Sequence, residues 1–177
     1  MRAGLLSFLV FLVLPLVPSA LSIAACSSSS DTNTYDTLFE TPSNGNNTAN
    51  DVHGLWASSI PRDPPSGNPA DMAIRMLVSD SQLLLANRCT FADGTELTAG
   101  VTVGIQLNLQ AMNLVTTTSA EDYPTAGDDV CSLTVGAGTL AYVISEGRTL
   151  TFQGHDLPYP TFGMAKYSPA YSKESDD

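Results

Sequence analysis

Few side chains in this sequence could do chemistry, and their spacing says as much as their type. The histidines are His53 and His155. They stand far apart, and neither has an i, i+4 partner or a nearby cysteine pair, so no zinc pattern forms. Both read more simply as partly exposed structural histidines. Glu121-Asp122 and Asp128-Asp129 flank one loop, but their spacing is not that of a calcium loop, and a solvated acidic loop is the simpler reading. Serine is abundant, yet there is no G-x-S-x-G elbow. A phosphate-cradling G-x-x-x-x-G-K-[ST] and a dinucleotide fingerprint are also missing. The cysteines are Cys26, Cys89 and Cys131, with no C-x-x-C among them to suggest redox or metal work. Catalysis needs a nucleophile or an acid–base pair held within hydrogen-bond reach. The sequence marks none, so the expectation is a non-enzyme without cofactor or metal.

Charge narrows the partners. Lys and Arg number 7 against 18 Asp and Glu in 177 residues, a formal net charge of −11. No basic stripe is available to neutralise phosphates, so no nucleic-acid partner is expected. A polybasic contact with an anionic membrane surface is disfavoured for the same reason.

The N-terminus reads as a targeting segment. Arg2 supplies a short positive start, and Leu5 to Leu21 is an almost unbroken apolar run. Pro15 and Pro18 interrupt it, which suits a signal peptide better than a persistent helix in lipid. Ile23-Ala24-Ala25-Cys26 follows. This arrangement resembles the lipobox of bacterial lipoproteins, in which that cysteine takes a diacylglycerol and becomes the new N-terminus. The alternatives are an ordinary secretory signal cut near Ala25 and a transmembrane anchor. The resemblance implies a signal peptide over 1–25, a lipidated Cys26, and the lipid bilayer as first partner. Two or more acyl chains anchor stably where one does not. Ser27 stands where enteric lipoproteins kept at the inner membrane carry Asp, which implies a cell-envelope location at the outer membrane.

With Cys26 acylated, an exported chain keeps Cys89 and Cys131, which makes them a disulfide candidate. The alternative is two thiols that never meet.

Residues 27–50 are mostly Ser, Thr and Asn, with no sustained period of 2 or 3.6. Such a segment buries too little apolar surface to offset its ordering entropy, so 26–51 reads as a lipidated cysteine followed by a flexible tether. Tyr35, Leu38 and Phe39 form a small apolar island in it. They read as incidental, the sharper alternative being a transient dock on the domain.

The elements that must position everything else are strands. From Val52 the pattern has period 2, with turn signals between runs. The predicted strands are His53–Ile60, Ala73–Ser79, Gln82–Phe91, Leu97–Leu107, Leu109–Thr118, Val130–Gly136, Thr139–Ser145 and Arg148–Gly154; the turn near Asn108 is weakly marked, and LNLQAMNL could form a short helix instead. In the fourth, Leu97, Ala99, Val101, Val103, Ile105 and Leu107 fall on one face, which a helix would scatter. Gly100 and Gly104 on the other face suggest bends or bulges of a strongly curved sheet. Asp93-Gly94 and Glu146-Gly147 mark tight turns. Eight short antiparallel strands give an all-β fold, an up-and-down eight-stranded barrel, with a two-sheet β-sandwich as the alternative. The domain spans 52–167. Thr161–Tyr167 reads as an edge strand, and 168–177 as a frayed, disordered C-terminal tail.

Gly54-Leu55-Trp56 opens the first strand and resembles the G-x-W near the start of lipocalins. The chain is also similar to lipocalin-like lipoproteins of bacteria over residues 52–154. In lipocalins the tryptophan closes one barrel end against a basic residue from a late strand. The resemblance therefore implies a barrel-end packing set of Gly54, Trp56 and Arg148, joined by a cation–π contact. The functional expectation is a membrane-anchored, non-catalytic barrel that holds a small apolar ligand inside or a protein partner on its rim. The alternatives are a structural or interaction envelope lipoprotein with a filled barrel, and a protease inhibitor.

Overall fold

The structure is a computed structural model that describes residues 34–40, 48, 50–63, 65, 67–125, 129–153, 160–163 and 169–176. The signal segment, Cys26, Ser27, Asp128 and His155 lie outside the described residues.

Alternation of apolar and polar residues makes the strands, and turn residues separate them. In order they are β1 (Gly54–Ile60), β2 (Ala70–Val78), β3 (Gln82–Phe91), β4 (Glu96–Asn108), β5 (Asn113–Thr116), β6 (Ala120–Asp122), β7 (Leu133–Val135), β8 (Gly138–Ser145), β9 (Thr149–Gln153), β10 (Thr161–Phe162) and β11 (Tyr171–Ser175). Eight of them close an antiparallel barrel in the order β1-β11-β9-β8-β5-β4-β3-β2, so the sandwich alternative falls away. Closure leaves no free barrel edge to pair with another chain.

The hairpins form where the turn chemistry predicts. Gly94 has a φ of +84°, and Asp93 accepts a hydrogen bond from the Thr95 amide at 2.9 Å. Glu146 and Gly147 both have positive φ, and the Arg148 amide donates to the Ser145 carbonyl at 3.1 Å, closing the turn between β8 and β9. The weakly marked turn after β4 is held by Asn108, whose side-chain oxygen accepts from the Ala111 amide at 3.0 Å.

The inward face is apolar. Ala70, Met72, Ile74, Met76 and Val78 of β2 are buried in strict alternation, as are Ala99, Val101, Val103 and Ile105 of β4. The glycines of β4 make no bulge against β3, because that ladder runs unbroken from Glu96 to Gly104. They make room instead. A Cβ at Gly100 would collide with the Tyr35 ring, and one at Gly104 would lie 2.7 Å from the Thr117 hydroxyl.

Several assignments differ from the sequence reading, and the fifth predicted strand is shortened to β5, with 109–112 forming a turn. The run 130–136 contributes β7, which lies outside the barrel in a three-stranded sheet ordered β10-β7-β6. This sheet adds Leu133, Val135 and Phe162 to the main core. The eighth barrel position goes to β11, which pairs with β1 and β9, so the residues read as a disordered tail close the barrel. Of the edge strand expected over Thr161–Tyr167, β10 keeps Thr161 and Phe162, while residues 164–168 lie outside the described residues.

A further difference is α1 (Thr34–Glu40), inside the segment read as tether. It docks on the outside of the barrel. Leu38 packs with Leu55 and Ala86, and Tyr35, Phe39, Leu77 and Leu84 surround them. Asp36 takes hydrogen bonds from Arg88 at 3.2 Å and from the Thr98 hydroxyl at 2.9 Å. The guanidinium groups of Arg88 and Arg75 lie 4.2 and 5.6 Å from the Phe39 ring centroid. The apolar island is therefore a docked helical turn with i, i+3, i+4 spacing.

Candidate functional site

The barrel ends are finished differently. At one end the β6–β7–β10 sheet packs over β4, and the Cys89–Cys131 disulfide ties it to β3 with a Cα separation of 5.9 Å. The sequence-expected pairing is thus present.

At the other end, Thr48 and residues Asn50 to His53 cross the opening. The Asn50 amide reaches the Gly147 carbonyl in the β8–β9 turn at 3.5 Å. The Thr48 amide donates to the Asp176 carboxylate just beyond β11, at 2.7 and 2.9 Å. Beneath this crossing sits Trp56, fully buried, its indole N–H donating to the Val52 carbonyl at 2.8 Å. Gly54 has a φ of +105°, and a Cβ there would run into the Ser175 carbonyl. A side chain at that position would thus break the approach of β1 to β11.

The cation over the Trp56 ring is Lys173, 5.5 Å from the centroid, and not Arg148. Arg148 lies in the β8–β9 turn with its side chain exposed, and it meets Lys173 only through the backbone, its carbonyl accepting the Lys173 amide at 2.9 Å. The inward-pointing residue one strand later takes the place expected for Arg148. The Lys173 ammonium lies 2.7 Å from Asp176 and donates to the carbonyls of Asp51 at 3.0 Å and Thr48 at 3.2 Å. These hydrogen bonds, first that from Lys173 and then those from Thr48, hold the Asp176 carboxyl below the ordinary carboxylate range.

Above this box lies a cup of about 540 Å³ at the barrel mouth. Asn50, Asp51 and His53 form one wall, and Leu109, Met112, Tyr142 and Ile144 the other. Its rim is apolar and open: Leu109 is 56% and Met112 39% exposed, whereas Tyr142 and Ile144 are buried at its base. Burial, and next the charge of Asp51, raise the pKa of the Tyr142 phenol.

His53 stands between two carboxylates. Its Nδ1 lies 2.7 Å from Asp51, and its Nε2 lies 3.1 Å from Asp80, near enough for an ion pair but without hydrogen-bond geometry. Burial works to raise the pKa of Asp51. The hydrogen bonds from the His53 amide and ring, with the charges of His53 and Lys173, outweigh it and hold the carboxyl below its usual value.

The barrel interior is filled. Ile74, Met76, Leu83, Leu85, Leu114, Leu150 and Tyr171 have no accessible surface, so no water-sized void touches them. The room that the apolar face of β4 could have left is taken up by its neighbours. A second hollow, of about 490 Å³, lies on the barrel's outer face between Ala57, Ala73, Arg75 and Ser172. Of the acidic loop residues, Asp122 lies in β6 and accepts the Gly100 amide at 2.8 Å, far from the cup.

Sequence reasoning missed Lys173, Asp51 and the cup. One signal was present for the first. Tyr171, Lys173 and Ser175 alternate with Ser172 and Glu174, a period of 2 hidden by polar residues.

Comparison with protein-family models, curated proteins and solved structures returns no match for this chain.

Proposed function

We propose that this protein is an exported, non-catalytic binding protein of the cell envelope. Cys26 is acylated and anchors the chain in the outer membrane, and the barrel takes up a small, largely apolar ligand at its mouth. The observation that carries the reading is the cup itself. Leu109 and Met112 stand exposed on a turn beside Tyr142 and Ile144, and together they line a hollow of ligand size. Exposed large apolar side chains gathered at one concave place are a mark of binding. The filled interior moves the ligand from the barrel centre to this rim.

Two observations support the rest. The disulfide fits an exported chain in an oxidising compartment. The described lining residues place no Ser, Thr or Cys hydroxyl or thiol beside the His53–Asp51 pair, which favours holding a ligand over transferring an acyl group.

The filled barrel also favours a second reading, an envelope interaction protein whose rim meets a protein partner. Native mass spectrometry of the protein purified from its host membrane separates the two. The binding reading predicts an acylated N-terminal Cys26 and a retained small molecule that is lost in the Leu109→Ser/Met112→Ser variant. A bare chain carrying no small molecule contradicts ligand binding, and an unmodified N-terminus elsewhere contradicts the anchor.

A further inference from the structure

The electrostatics of the cup go further than its shape. We propose that the ligand selected at the barrel mouth is a small organic cation with an apolar body, and that Asp51 is its counter-ion. This deepens the ligand-binding reading above and rests on it.

The charge inventory of the mouth is one-sided. Among the described lining residues there is a carboxylate, Asp51, and no Lys or Arg. The nearest ammonium, Lys173, is wholly buried under the crossing segment. Its three N–H donors match three acceptors, Asp176 and the carbonyls of Thr48 and Asp51. It has no donor left for a ligand, and Asp176 balances its charge. The ionisable groups grouped around Asp51 are His53 and, through its ring, Asp80; Tyr142 also lines the cup, and Glu146 and Arg148, one of each sign, stand exposed in the β8–β9 turn. One imidazole faces two carboxylates, so the cluster carries net negative charge whether the ring is protonated or neutral.

Asp51 is also placed to use that charge. Its Oδ1 accepts both His53 contacts, from the amide at 3.0 Å and the ring at 2.7 Å. Its Oδ2 has no partner among the described residues. Across the cup, Tyr142 offers an aromatic ring of the kind that attracts cations, and Leu109, Met112 and Ile144 offer apolar surface. A quaternary or protonated amine with a hydrocarbon body matches both walls. An anion of the same shape would bring like charge against Asp51 in a partly desolvated hollow, which is costly.

The test is calorimetric titration of the full exported chain with three probes: benzyltrimethylammonium, benzyl alcohol and phenylacetate. The cation is expected to bind at least about ten-fold more tightly than the anion, with the alcohol between. Asp51→Asn is expected to abolish that order while the alcohol still binds. Leu109→Lys adds a positive charge at an exposed rim position, so it keeps the test decisive should Asp51→Asn fail to fold; it is expected to reverse the order. Binding of the anion as tightly as the cation overturns the charge assignment but leaves the cup as a binding site. No saturable binding of any probe overturns both.

Discussion

The ammonium of Lys173 lies 5.5 Å from the ring centroid of Trp56, and neither side chain has accessible surface. A charge so placed is stable only because hydrogen-bond acceptors surround it. Trp56 comes from the first barrel strand and Lys173 from the last, so their contact fastens the seam at which the barrel closes.

Lys173→Met takes the ammonium away from Asp176, which keeps its Thr48 donors, and leaves the Thr48 and Asp51 carbonyls without that donor. It is expected to destabilise the fold by about 2–4 kcal/mol. Urea unfolding followed by Trp56 fluorescence measures this. A loss below about 0.5 kcal/mol would show that the seam does not depend on the ammonium.

The disulfide closes a loop with a sequence separation of 42. Chain-entropy arithmetic gives about 4 kcal/mol for such a loop, as an upper figure. Cys89→Ala/Cys131→Ala is expected to lower the unfolding free energy by about 2–4 kcal/mol and the unfolding midpoint with it, and reduction of the native protein should act in the same direction. Unchanged midpoints under both treatments would contradict a stabilising bridge.

Asp51 and Asp176 have folded pKa values below their ordinary ones. Protons therefore favour the unfolded chain at these groups. Their contribution to stability is complete above the ordinary carboxylate pKa of about 3.9 and is lost as pH falls below it. Stability measured from pH 6 downward should stay level on their account until about pH 4 and then fall. Asp51→Asn/Asp176→Asn is expected to show a shallower acid slope, and an identical slope would refute the linkage.

Gly100 allows the Tyr35 ring of α1 to lie flat against β4. Gly100→Ala places a methyl group where that ring sits, so α1 is expected to leave the sheet while the barrel stays folded. Hydrogen exchange should then rise over residues 34–40 and remain unchanged in β3. Unchanged protection of α1 would show that the helix is held without this contact.

The barrel was legible where one face is buried and the other wet. In β2 and β4 the alternation is strict, and the Asp93-Gly94 and Glu146-Gly147 turns fix where strands reverse. β11 escaped because it puts Lys173 and Ser175 inward, so its buried face looks polar until Asp176 and the crossing backbone are known to satisfy the charge. β7 carries the same alternation as a barrel strand, and its place in a separate sheet depends on pairing with β6 and β10, which residue types do not encode. The cup joins residues near position 50, at 109–112 and at 142–144, so no local spacing could announce it.

The measurement that tests the central claim most directly is photo-labelling of the full chain with a small apolar diazirine carrying an ammonium group, followed by peptide mapping. The cup predicts saturable label on residues 109–112 and 142–144, competed away by unlabelled benzyltrimethylammonium. Label that does not saturate, or that maps to the outer hollow between Ala57, Ala73 and Ser172, would contradict it.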